Sequence, residues 1–116
     1  MRGKRKFSFL YSTINDLKIA EDIGEYLVKN KLAACVNIFP IESIHSWKGK
    51  IEKNKEYAMI IKTRKKLIKK LIKEIKDKHP YELPCLISFD VSYGDKNFLR
   101  WIECETKRKN FLRKAQ

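Results

Sequence analysis

Residues 31–64, KLAACVNIFPIESIHSWKGKIEKNKEYAMIIKTR, decide the fold. Two runs with strand character, 33–47 and 51–63, flank a short polar turn containing Gly49. The segment therefore reads as one long β-hairpin. At ~3.3 Å per residue the first run alone would reach roughly 50 Å if fully extended. A compact domain of this length has a diameter of only roughly 35 Å. Either the strand folds back at Pro40, or the hairpin projects and pairs with another copy through the free N–H and C=O groups of a sheet edge.

Outward from the hairpin, residues 7–13 alternate Phe7, Phe9 and Tyr11 with Ser8, Leu10 and Ser12, a strand pattern. Asn15 or Asp16 then caps a helix whose apolar stripe is Ile19, Ala20, Ile23, Leu27 and Val28. Beyond the hairpin, Leu67, Ile68, Leu71, Ile72 and Ile75 form a second stripe, with lysines on the opposite face. The prolines of HPYELP end that helix. Residues 85–93 read as a fourth strand, and Phe98, Leu99 and Ile102 begin a short third helix.

The order β-α-β-β-α-β-α predicts an α+β fold. It is a ferredoxin-like sandwich with an extended hairpin and a short C-terminal helix. Right-handed crossovers place both long helices on one sheet face. In residues 36–39 and 57–61, apolar side chains occupy both alternation phases. A sheet that is apolar on both faces needs cover on both, so the second face is expected to be buried against sister subunits.

With 116 residues and 43% hydrophobic content, the chain makes one ordered domain. We place it at residues 7–106. Residues 1–6 and 107–116 form basic extensions that hold much of the net charge of +13. No apolar run approaches the ~18 residues of a membrane span. Cys35, Cys85 and Cys104 form no CxxC pair. Their odd, scattered count points to a reducing, cytoplasmic compartment rather than a disulfide framework.

The common mechanistic signatures are absent: no Walker A loop, GxGxxG, GxSxG or HExxH occurs. His79 and Cys85, on either side of a rigid proline-bounded spacer, are candidate ligands for copper or another transition metal. His79 also reads as a helix terminus. Lys62, in an otherwise apolar strand, is either an edge charge or an anion-binding group. Trp47 reads as packing at a subunit contact. RNA-recognition motifs share this element order and stack bases on sheet aromatics. The third strand, KEYAMIIKT, lacks their aromatic signature, which argues against RNA as a partner.

The segments KLAACVNIFP, SIHSWKGKI and YAMIIKT, with HPYELP and YGDKNFLRWI, together resemble the CutA family of divalent-cation-tolerance proteins over about residues 7–102. The resemblance implies an intertwined homotrimer, similar in architecture to the PII signalling proteins. It also implies a link to copper tolerance and no settled enzymatic activity. The family's discussed copper ligands, a cysteine after the first strand and a His-His pair, fall here on Ser12, Lys78 and His79. Cys85 replaces a glutamate common in relatives, and Ile41 a glycine. Family motif positions further imply an inter-subunit cleft holding Trp47, Lys62, His79, Tyr81 and Glu82, with Cys35 in packing. The expectation is a non-enzymatic homotrimer responding to divalent metal, with no required cofactor, no DNA partner and no membrane span. The alternative is a PII-like module that holds a small anion at Lys62.

Overall fold

The computed structural model describes residues 5–107. Eight residues of alternating character make β1 (Phe7–Ile14), followed by α1 (Leu17–Lys29), β2 (Cys35–Trp47) and β3 (Lys50–Arg64). A 3-10 turn at Lys65–Leu67 leads into α2 (Ile68–Lys78), then β4 (Ile87–Asp90) and α3 (Lys96–Glu105). The strands form one antiparallel sheet in the order β2-β3-β1-β4. That is the ferredoxin-like arrangement expected from the element order.

The hairpin projects. Its register runs unbroken from Cys35 opposite Lys62 to Trp47 opposite Lys50. Pro40 does not fold it back, because β2 is an edge strand, where a missing N–H is tolerated. Lys48 and Gly49 close the turn with φ of 51° and 81°. Two positive φ values are the signature of a type I′ turn, whose twist matches that of its strands. The molecule consequently measures 53 × 39 × 21 Å.

Both long helices cover one sheet face. Leu10 and Ile14 of β1 and Met59 and Ile61 of β3 pack with Ala20, Ile23 and Leu27 of α1 and Ile68, Leu71 and Ile75 of α2. Asp16, not Asn15, caps α1: its carboxylate accepts the Ile19 N–H at 3.0 Å. Val28, expected in the stripe, is 41% exposed at its edge.

The opposite face is apolar and open. Phe39, Ile87 and Phe89 are exposed on it, between half-buried Phe9, Tyr11 and Ile60. One end is covered, where Ile102 of α3 buries Phe7 and Ala34. Arg64 fastens α3 there, donating from Nε to Thr106 Oγ1 at 2.8 Å and from its terminal nitrogen to Thr106 O at 2.9 Å.

The fourth strand is shorter than expected. It covers four residues, not 85–93, pairing with β1 from Ser8 opposite Asp90 to Tyr11 opposite Ile87. Pro84 delays its start, and the chain leaves the sheet after the Val91 N–H bonds Phe7 O at 2.9 Å. Of the basic ends, residues 1–4 and 108–116 lie outside the described residues. Lys6 and Lys107 both reach Glu103, at 3.1 and 3.3 Å.

Candidate functional site

The hairpin and the segment after α2 enclose an open cleft of about 1170 Å³. One wall is the sheet face opposite the helices: Tyr11 and Thr13 of β1, Ser43, His45 and Trp47 of β2, and Glu52, Asn54 and Glu56 of β3. The other wall is Tyr81, Glu82, Leu83 and Cys85. Strand alternation explains the first wall, since residues two apart share a face and the register sets Glu56 opposite Ile41, beside Ser43.

Glu56 is the centre of the site. Its carboxylate is buried, yet both oxygens are satisfied: Ser43 Oγ donates to Oε1 and Tyr81 Oη donates to Oε2, each at 2.5 Å. Short bonds to an ionised acceptor are the strong kind. They tie together β2, β3 and the Pro-Tyr segment. Burial, the hydrogen bond to Glu56 and the Glu56 charge together hold the Tyr81 phenol well above its usual range. Burial and then the Glu56 charge raise the Cys85 thiol as well. Cys85 is therefore kept as a thiol, the weaker form for metal binding and nucleophilic attack.

His79 stands behind this wall rather than in it. It is buried, with Nε2 2.8 Å from Thr13 O, and Nδ1 accepts the Tyr81 N–H at 3.1 Å. The two partners fix the neutral tautomer with the proton on Nε2. Neither nitrogen keeps a free lone pair, so ligation by His79 requires breaking one of these bonds. The ring instead orients Tyr81, which it meets edge-on at 4.7 Å.

In a single chain the cleft thus gathers Trp47, Tyr81, Glu82 and Cys85 among the residues expected from the sequence. Lys62 is not brought there. Its ammonium lies near α3, 5.5 Å from the Phe98 ring and 5.9 Å from that of Phe9. Ser12 is fully buried on the helix-facing side, and its hydroxyl is unpartnered among the described residues. Lys78 lies over the Tyr26 ring at 3.8 Å and pairs with Glu74. Among the described residues, no three His, Cys, Asp or Glu side chains converge as a metal-binding group. A stacking surface of the RNA-recognition type is also compromised, because α3 buries Phe7.

Sequence reasoning missed Glu56. The signal was present: an acid one residue before the apolar run 57–61, which falls on the open face once the hairpin register is fixed. The charge of the cleft was equally hidden. Four glutamates line it (Glu42, Glu52, Glu56 and Glu82) against Lys55, in a chain of net charge +13.

Residues 8–105 match the model of the CutA1 divalent ion tolerance protein family. The divalent-cation tolerance protein CutA of Archaeoglobus fulgidus is 46% identical over 96 residues, covering 83% of this chain and 94% of its own. Its counterpart in Pyrococcus horikoshii is 38% identical over 99 residues, covering 85% and 97%. The solved structure of the periplasmic divalent cation tolerance protein CutA from A. fulgidus superimposes with a TM-score of 0.85 at 44% identity, over 87% of this chain and 99% of the other. A relative from Arabidopsis thaliana carries a chloroplastic name, so relatives are named from different compartments. Match, identity and superposition agree with one another over nearly the whole described fold: the chain belongs to the CutA1 divalent ion tolerance family.

Proposed function

We propose that the protein acts, without catalysis, as a cytoplasmic homotrimer in tolerance of divalent metal ions, copper among them, with residues 7–106 as the working domain between two basic extensions. The relatives named above as divalent-cation tolerance proteins support the metal link. The open apolar sheet face and the projecting hairpin support the trimer, since both present surface that a sister subunit would cover.

The observation that carries the metal reading is the charge of the cleft. Glu52, Glu56 and Glu82, on the two walls of the cleft in a strongly basic chain, lower its potential where a cation would enter. A neighbouring subunit would complete the ligand set that one chain lacks. In this reading Trp47, Tyr81 and Glu82 line the subunit contact, and Cys85 offers a thiol that copper binding would deprotonate. His79 serves as a ligand only where the metal displaces one of its hydrogen bonds. Lys62 joins the site through the neighbouring subunit. The PII-like alternative, a small anion held by Lys62, finds less support, because the cleft lining is acidic.

Native mass spectrometry with and without one equivalent of Cu(II) per chain tests the proposal. The expected result is a trimer that takes up copper with defined stoichiometry, and loses that uptake in Glu56→Gln. A trimer with no specific uptake would remove copper from the reading and favour an anionic ligand. A monomer would remove the shared cleft altogether.

A further inference from the structure

The solvent side of α2 carries a feature that the metal reading does not use. Lysines recur at 66, 69, 70, 73 and 76, and all are exposed. Within α2, Lys69, Lys70, Lys73 and Lys76 fall within an arc of roughly 120° and span about 10 Å along the axis, with Lys66 in the 3-10 turn just before them. Ile68, Leu71 and Ile75 occupy the opposite arc and are buried in the core. Asp77, the acid within the lysine arc, is 4.0 Å from Lys73. Glu74, at its flank, is engaged by Tyr26 at 2.8 Å and by Lys78 at 3.5 Å. Lys66, Lys69, Lys70 and Lys76 make no ion pair with any described residue. Like charges three and four residues apart on a helix repel, and of the five only Lys73 has a neutralising partner, Asp77, among the described residues.

We propose that this face binds the phosphate backbone of double-stranded nucleic acid without sequence preference. A duplex carries one negative charge per ~1.7 Å of axis, so a row about 10 Å long faces several phosphates at once. The chemistry of the face selects this partner. It holds lysines only, with no arginine fork to read a base edge and no aromatic ring to stack on an unpaired base. Contacts of this kind position a protein on phosphates and carry no sequence information. A bilayer fits less well. Interfacial helices bury an apolar face among the lipids, and the apolar arc of α2 is already committed to the core. The proposal departs from the sequence-level expectation of no DNA partner, because backbone binding needs no motif, only a fold that turns these lysines outward together. It is independent of the metal reading, since none of these lysines lines the cleft.

Fluorescence anisotropy of the full chain with a labelled random-sequence duplex, titrated between about 50 and 200 mM salt, tests it. The combined variant Lys66→Gln, Lys69→Gln, Lys70→Gln and Lys76→Gln should lose more than about tenfold in affinity and shed roughly 3.6 from the slope of log K against log salt. A control with Lys18→Gln, Lys29→Gln, Lys31→Gln and Lys96→Gln removes the same charge elsewhere and should lose far less. Arginine at the four helix positions should retain both affinity and slope, which separates loss of charge from loss of fold. Equal losses in helix and control variants would overturn the proposal, since net charge alone would then explain binding. So would absence of duplex binding at about 150 mM salt, or binding to phosphatidylserine vesicles in place of the duplex.

Discussion

Glu56 shows how one buried side chain can organise a surface. Its carboxylate accepts from the hydroxyls of Ser43 and Tyr81, and removing it strands both donors. Glu56→Ala is expected to destabilise the chain by about 1–3 kcal/mol, the usual cost of leaving buried partners unsatisfied, as read from urea unfolding. The raised Tyr81 phenol gives a pH signature with a definite sign. The unfolded phenol loses its proton near pH 10, while the folded one keeps it. Above about pH 10 the unfolded state therefore binds fewer protons, and stability falls as pH rises. Tyr81→Phe should flatten that fall, as measured by thermal unfolding across the alkaline range. The same environment acts on Cys85. A limiting alkylating reagent near neutral pH should modify exposed Cys104 ahead of Cys85, as mass mapping of the labelled peptides would reveal. Little of this was legible in the sequence. Tyr81 and Glu82 stood out because they sit in a distinctive Pro-Tyr segment. Glu56 looked like one more charge before a strand, because its face depends on a register that only the closed hairpin fixes. His79 was legible as chemistry but not as structure: a histidine's role depends on what its two nitrogens meet, and Thr13 lies 66 residues away in sequence.

Elements were far easier to read, since each is set by local periodicity and end signals. Both long helices follow their apolar stripes, and α1 begins where Asp16 accepts the Ile19 N–H. Asp16→Ala should cost about 1 kcal/mol in unfolding free energy, typical of a lost N-cap. The hairpin turn makes a cleaner test of backbone preference. A Cβ on Gly49 would meet no atom within 4 Å, yet φ there is +81°. Gly49→Ala should therefore destabilise by about 1–2 kcal/mol through the left-handed backbone alone, again by urea unfolding. The fourth strand was misjudged because β-propensity in residues 85–93 says nothing about how much partner edge is available. Pairing with β1 ends at Tyr11 and Ile87. Pro40 was ambiguous for a related reason: proline is excluded from a central strand but tolerated at an edge, and edge status belongs to the sheet, not to the strand.

For the whole molecule, shape decides more than composition. A radius of gyration of 15.9 Å exceeds the ~13 Å of a compact domain this size. The excess lies in a hairpin that extends beyond the body it comes from. In the proposed trimer that excess becomes shared surface, and unfolding must also separate the subunits. The melting temperature should then rise with protein concentration, as mass action requires. A melting temperature that stays constant over a wide range of concentrations would contradict the assembly.

The strand order also constrains how the chain is made. β1 leaves the ribosome first, yet it lies between β3 and β4, whose partner positions begin at Tyr57 and Ile87. The β2–β3 hairpin can close as soon as its own residues have emerged, because its pairing is contiguous in sequence. β1 must wait, with Phe7, Phe9 and Tyr11 uncovered, through the synthesis of more than half the chain. At about 5–20 residues per second that wait lasts several seconds. During nascent-chain growth the first strand is thus the segment most in need of a chaperone, although in the finished sheet it is one of the two central strands, flanked by β3 and β4.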